Sequence, residues 1–152
     1  MDNNGVYKMK FEKSSFDINE DYDRLSDYEK ERISELDAET YFDYEDNGSY
    51  ICFIITSAIE MKKYTSILSK NLIKFEFSDL TKDVISSKIN LELELKPQLS
   101  TTNSIKYSFF IDDVNEWVYN NLEIDMILDR ISEVGMDSLS QIEKDFLKNY
   151  NS

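Results

Sequence analysis

Apolar and polar positions along the chain follow two periods, and each change of period marks an element. Val6–Phe11 ("VYKMKF") alternates large and charged side chains loosely, as a first strand would. "SSFDINEDYD" is polar and turn-rich. In "SDYEKERISEL", Ser26 stands where an N-cap belongs and Glu29 follows at capping-box spacing. Tyr28, Ile33 and Leu36 give that segment a thin apolar stripe, so it predicts a short surface helix.

"ETYFDYEDNGSYICFIIT" is the clearest local signal. Two β-favouring runs flank Asn47-Gly48, a pair suited to a type I′ turn because both central residues need positive φ. The second run, Tyr50–Ile55, is almost wholly apolar and predicts a central strand covered on both faces. Ser57 and Glu60 form another capping box, opening a helix from Ala58 to about Lys70. Ile59, Tyr64, Ile67 and Leu68 mark its expected buried side, and Asn71 its stop. Beyond it, Ile73, Phe75 and Phe77 alternate with Lys74 and Glu76. Ile89, Leu91, Leu93 and Leu95 alternate with Asn90, Glu92 and Glu94 until Pro97, which predicts a strand with one wet face. "IKYSFFI", from Ile105 to Ile111, reads as a last strand.

A helical region is expected from about Asp112, with Asp113 and Glu116 at capping-box spacing. Val114, Trp117, Val118 and Leu122 share one face, and Ile124, Ile127, Leu128, Ile131 and Val134 continue at three- and four-residue steps. A break falls near Asn120–Asn121, since both residues are poor helix formers. Gly135 is the expected residue after the helix. Ser140 then caps a second helix and Glu143 completes its box. Ile142, Phe146 and Tyr150 form one stripe, with Leu147 beside it. A helix of about ten residues is too short to stand alone in water, so it must dock. Burial of each large apolar side chain is worth about 1.5–3 kcal/mol towards that docking.

These elements predict an α+β fold: a mostly antiparallel sheet of four to six strands, one covering helix and a C-terminal helical hairpin. Residues 1–111 form the sheet part and residues 112–152 a helical region packed on it, in one compact unit. The C-terminal run "ILDRISEVGMDSLSQIEKDFLKNYN" resembles a short bacterial helical-hairpin domain of unknown function. That domain is found at the C-terminus of some rhomboid-like proteases. Ile127, Leu128, Asp129, Ile131, Ser132, Gly135, Ser138, Leu139, Glu143, Phe146 and Leu147 carry the resemblance. It implies an appendage and transfers no catalytic residue.

Charge changes this picture next. The formal net charge is −14. Residues 12–46 hold fourteen acids against four bases, and residues 112–152 hold ten against three. Residues 47–111 are slightly basic, with eight bases against six acids. Acidic flanks repel phosphate, so neither direct nucleic-acid binding nor an anionic membrane is an expected partner. "MDNNGVYKMK" has no apolar signal region and the longest apolar run is too short to span a bilayer. With a single cysteine, Cys52, this gives an expected cytoplasmic location. Two Ala, three Gly, and Lys outnumbering Arg fourteen to three suggest an AT-rich bacterial or phage genome.

The chemical vocabulary is sparse. With no His, imidazole triads, imidazole metal sites and the commonest general base are absent. Cys52 sits in the most apolar run, a setting for a structural thiol. Three scattered glycines make no phosphate loop. Asp17, Asn19 and Asp21 imitate the start of a calcium loop, which then fails at Tyr22 and Tyr28. Asp43, Glu45 and Asn47 repeat the imitation, but Gly48 belongs to the turn. No catalytic residue, cofactor or metal is therefore expected.

Tyrosines in the acidic stretch, namely Tyr22, Tyr28, Tyr41 and Tyr44, read either as inward packing or as a contact surface. Ile142, Phe146 and Tyr150 are the second candidate contact set. The expected function is that of a small acidic accessory protein, not an enzyme, acting on a protein partner. The alternatives are an acidic mimic that blocks the basic cleft of a nucleic-acid enzyme or toxin, and a carboxylate enzyme using a divalent metal.

Overall fold

The computed structural model describes residues 4–12, 23–37, 40–100 and 104–150. Strand β1 (Asn4–Glu12) is followed by helix α1 (Asp27–Asp37) and the hairpin of β2 (Thr40–Asp46) and β3 (Ser49–Ser57). Helix α2 (Ala58–Lys70), strand β4 (Glu76–Asp79) and the short helices α3 (Thr81–Ile85) and α4 (Leu91–Leu95) come next. Helices α5 (Ser104–Asn121), α6 (Ile124–Val134) and α7 (Gln141–Tyr150) close the chain. The four strands form one antiparallel sheet in the order β2-β3-β1-β4. The architecture is the expected α+β class with C-terminal helices.

Strand periodicity divides the core in two. Val6, Phe42, Ile51, Phe53 and Ile55 point to one face, where they meet Phe110, Val114, Trp117 and Val118 of α5 and Ile127 of α6. Tyr7, Met9, Phe11, Cys52 and Ile54 point to the other, where they meet Met61 and Leu68 of α2. Helix α1 lies outside α2, with Ile33 and Leu25 against Ile67. The central strand β3 is thus covered on both sides, as its continuous apolar run predicts. Asn47 and Gly48 take φ of 48° and 82°, the left-handed turn that joins β2 to β3. Trp117 ties α5 to the sheet by donating its indole N–H to the Asn4 carbonyl at 3.0 Å.

Five local expectations are corrected. Leu91–Leu95 is a helix, not a strand: the Asn90 side chain accepts from the Leu93 N–H and caps it. Leu91 and Leu95, four residues apart, are buried, while Leu93 faces solvent. Ile105–Ile111 is the first part of α5, which starts at Ser104 and not near Asp112. Asp113 and Glu116 consequently lie inside a helix and cap nothing. In the fourth case, the alternation that starts at Ile73 becomes a strand only from Glu76. Ile73 instead closes α2, its N–H donating to the Leu68 carbonyl at 3.0 Å. Within α2, Met61 is buried in place of the expected Ile59, which is exposed.

Candidate functional site

Helices α5, α6 and α7 pack on one another at the C-terminal end of the described chain. Helix α6 starts just beyond the break at Leu122–Glu123 and ends at Gly135, whose φ of 83° and ψ of 161° suit only glycine. Ser140 opens α7 with a closed capping box. The Ser140 N–H donates to Glu143 Oε1 at 2.9 Å, and the Glu143 N–H donates to Ser140 Oγ at 3.2 Å. Glu143 is 1 % exposed. Arg130 of α6 donates to both its oxygens, at 3.3 Å and 3.4 Å, and Ser87 Oγ lies 3.4 Å away. Burial pushes the Glu143 carboxyl up, but the Ser140 N–H and Arg130 outweigh it and hold it below its ordinary value. One carboxylate thereby fixes α7 to α6 and to the turn after α3.

The orientation this imposes creates a groove of about 440 Å³ between α5 and α7. Tyr119 and Ile142 supply its apolar surface, and Glu116, Asp145, Asn115 and Asn149 its polar one, with Lys148 as the base in the lining. Beside it runs an aromatic row. Tyr119 meets Phe146 edge-on at 5.8 Å between centroids, and Phe146 stacks on Tyr150 at 6.0 Å. Asn149 donates to the Tyr119 hydroxyl at 3.0 Å. Ile142 and Phe146 are half-buried, whereas Tyr150 is 59 % exposed.

The C-terminal candidates Ile142, Phe146 and Tyr150 are therefore brought together. The tyrosines of the acidic stretch are not. Tyr22 lies outside the described residues. Tyr28 is exposed on α1, with the Arg32 guanidinium 5.0 Å from its ring centroid. Tyr41 and Tyr44 point to opposite faces of β2. Tyr44 stacks on Phe53, and Tyr41 packs with Tyr50 on the α2 side. Asp17, Asn19 and Asp21 also lie outside the described residues, and no group of three or more potential metal ligands occurs among the described ones.

A second polar cluster, not legible in the sequence, sits at the outer edge of β2. Tyr50 donates its hydroxyl to Asp43, and burial together with that bond raises its pKa. Lys106 comes from α5, on the opposite face of the sheet, yet its Nζ lies 2.9 Å from Asp43 Oδ1 and 4.3 Å from the Tyr41 ring centroid. Its side chain must pass around β2 to arrive there. Burial lowers the Lys106 pKa, but Asp43 more than compensates and holds the ammonium charged.

Residues 115–152, about a quarter of the chain, match the model of a family of unknown function, DUF6576. The match starts at Asn115, a residue of the groove, and takes in all of α6 and α7. No curated protein and no solved structure matches the chain. Among the described residues no helix is long and apolar enough to cross a membrane. Tyr119, Glu116 and Lys106 are the site residues that sequence reasoning missed. Tyr119 lies one position past the expected buried stripe, and only its pairing with Phe146 reveals it.

Proposed function

We propose that this protein is a non-enzymatic accessory protein that works by contact with another protein, and that α5–α7 present the contacting surface. The observation that carries the reading is the aromatic row ending in exposed Tyr150 beside an open groove. Tyrosine at the rim of a partly apolar depression is a favoured composition for protein contact. Leu128, Val134 and Met136 are exposed on α6 and the turn after it, further apolar area on the C-terminal helices. The rigid Arg130–Glu143 joint supports the reading, because a held surface loses less entropy on binding. Its resemblance to an appendage domain of rhomboid-like proteases points the same way. A cytoplasmic setting in a bacterium or its phage belongs to this proposal, supported by the single buried thiol and the arginine-poor, alanine-poor composition.

A photo-crosslinking residue at Tyr150 of the full chain tests the contact in the cells the protein comes from. The expected result is a discrete adduct with another protein, absent when the same residue replaces exposed Lys62 on α2. Identical adduct patterns at the two positions would refute the reading.

A further inference from the structure

From the chemistry of the groove we infer the class of partner: a segment of another protein that presents arginine side chains beside an apolar row. This rests on the contact reading and adds to it. Two independent features select a cation. The first is the exposed face of Tyr150 with its row to Phe146 and Tyr119, since aromatic faces attract guanidinium groups. The second is charge. Residues 112–150 hold ten acids and three bases, and the Glu143–Arg130 pair is internal. That leaves nine exposed acids and two exposed lysines; on the groove itself Glu116 and Asp145 stand against one base, Lys148, so the lining is still net acidic. Asp145 Oδ1 accepts from Gln141 at 2.9 Å, which holds its carboxylate in place without neutralising it.

Arginine fits better than lysine, because its planar guanidinium can stack on a ring while donating to a carboxylate. Tyr119 and Ile142 then receive an apolar neighbour of that arginine. The same charges disfavour the other occupants. A second copy brings another −14, and a nucleic acid brings phosphate.

The probe is a fluorescein-labelled 14-residue amphipathic peptide of leucine and arginine, read by anisotropy against the full chain. Its counterpart has glutamine at every arginine position. The Leu/Arg peptide should bind, and Glu116→Arg with Asp145→Arg should weaken it at least tenfold. The milder pair Glu116→Gln with Asp145→Asn should weaken it about threefold, and Tyr150→Ala by a similar factor. Glu31→Arg with Asp83→Arg, acids exposed elsewhere, should change binding less than twofold. Circular dichroism of each variant confirms the fold. If the Leu/Gln peptide binds as tightly as Leu/Arg, the arginine inference falls while the contact reading stands. If the distant reversal weakens binding as much as the groove reversal, attraction is diffuse and the inference falls. If neither peptide binds, the arginine inference falls, and the crosslink at Tyr150 alone decides the contact reading.

Discussion

Helices α1 and α7 begin with the same four-residue device, and comparing them shows what such a motif does not specify. In each, the serine N–H donates to the glutamate at 2.9 Å and the glutamate N–H donates back to the serine at 3.2 Å. Both glutamates are buried. They differ in what the carboxylate does next. Glu29 reaches the end of α2, where Asn71 donates to it at 3.0 Å and Lys70, 76 % exposed, stands 3.6 Å away. Glu143 is held by Arg130, only 22 % exposed, and by Ser87. One box is sealed by a neutral amide and a solvated ammonium, the other by a guanidinium inside the fold. The cap is local, but its energetic weight is set by the second partner.

The largest expected effect that tests this contrast is Glu143→Ala. It removes a cap and leaves Arg130 without its buried counterion, and should cost about 3 kcal/mol of stability in urea denaturation. Glu29→Ala should cost clearly less, and an equal loss would erase the contrast. Arg130→Met should follow, at about 2 kcal/mol, because it strands the carboxylate and keeps the box. A double-mutant cycle between Glu143→Ala and Arg130→Met should then show strong coupling.

Acid unfolding gives the next measure. Both carboxyls sit below their ordinary value of 4.5, Glu29 through the Ser26 N–H and Asn71 and Glu143 through the balance described above. A carboxyl held low in the fold contributes stability above about pH 4.5, and that contribution disappears as pH falls through the folded value. Replacing Glu143 by glutamine should flatten the fall of the melting midpoint below pH 4.5, as should glutamine at Glu29. A wild-type slope in either variant would remove that residue from the explanation.

Smaller still are the serines. Ser26→Ala and Ser140→Ala should each cost about 1 kcal/mol and should match each other, since their bonds are alike. Unequal losses in the same denaturation assay would mean that the caps themselves differ.

What the sequence disclosed divides along this same line between local and remote. The capping boxes at Ser26 and Ser140, the Asn47-Gly48 turn and the stop at Gly135 are legible because each depends on residues within a few positions. Ser57–Glu60 was half legible: Ser57 caps the Glu60 N–H, but the Glu60 carboxylate turns to Lys63 instead. Leu91–Leu95 misled because five residues of alternating leucine and glutamate satisfy both periods at their ends. Ile105–Ile111 misled because β-favouring aromatics there serve a helix face, with Tyr107, Phe110 and Ile111 buried. Of the candidate site, the α7 stripe was readable from its spacing. Its pairing with Tyr119 and the placement of Glu116 across the groove were not, since they depend on how α7 crosses α5.

The lysine that wraps the rim of the sheet has a consequence for the molecule's behaviour in a crowd. A seven-residue outer strand without proline or bulge is an open template for strands of other molecules, the first step towards fibrils. Lys106 lays a charged tether across that template between Tyr41 and Asp43. Solubility at high concentration then depends on one ammonium at the rim as well as on overall acidity.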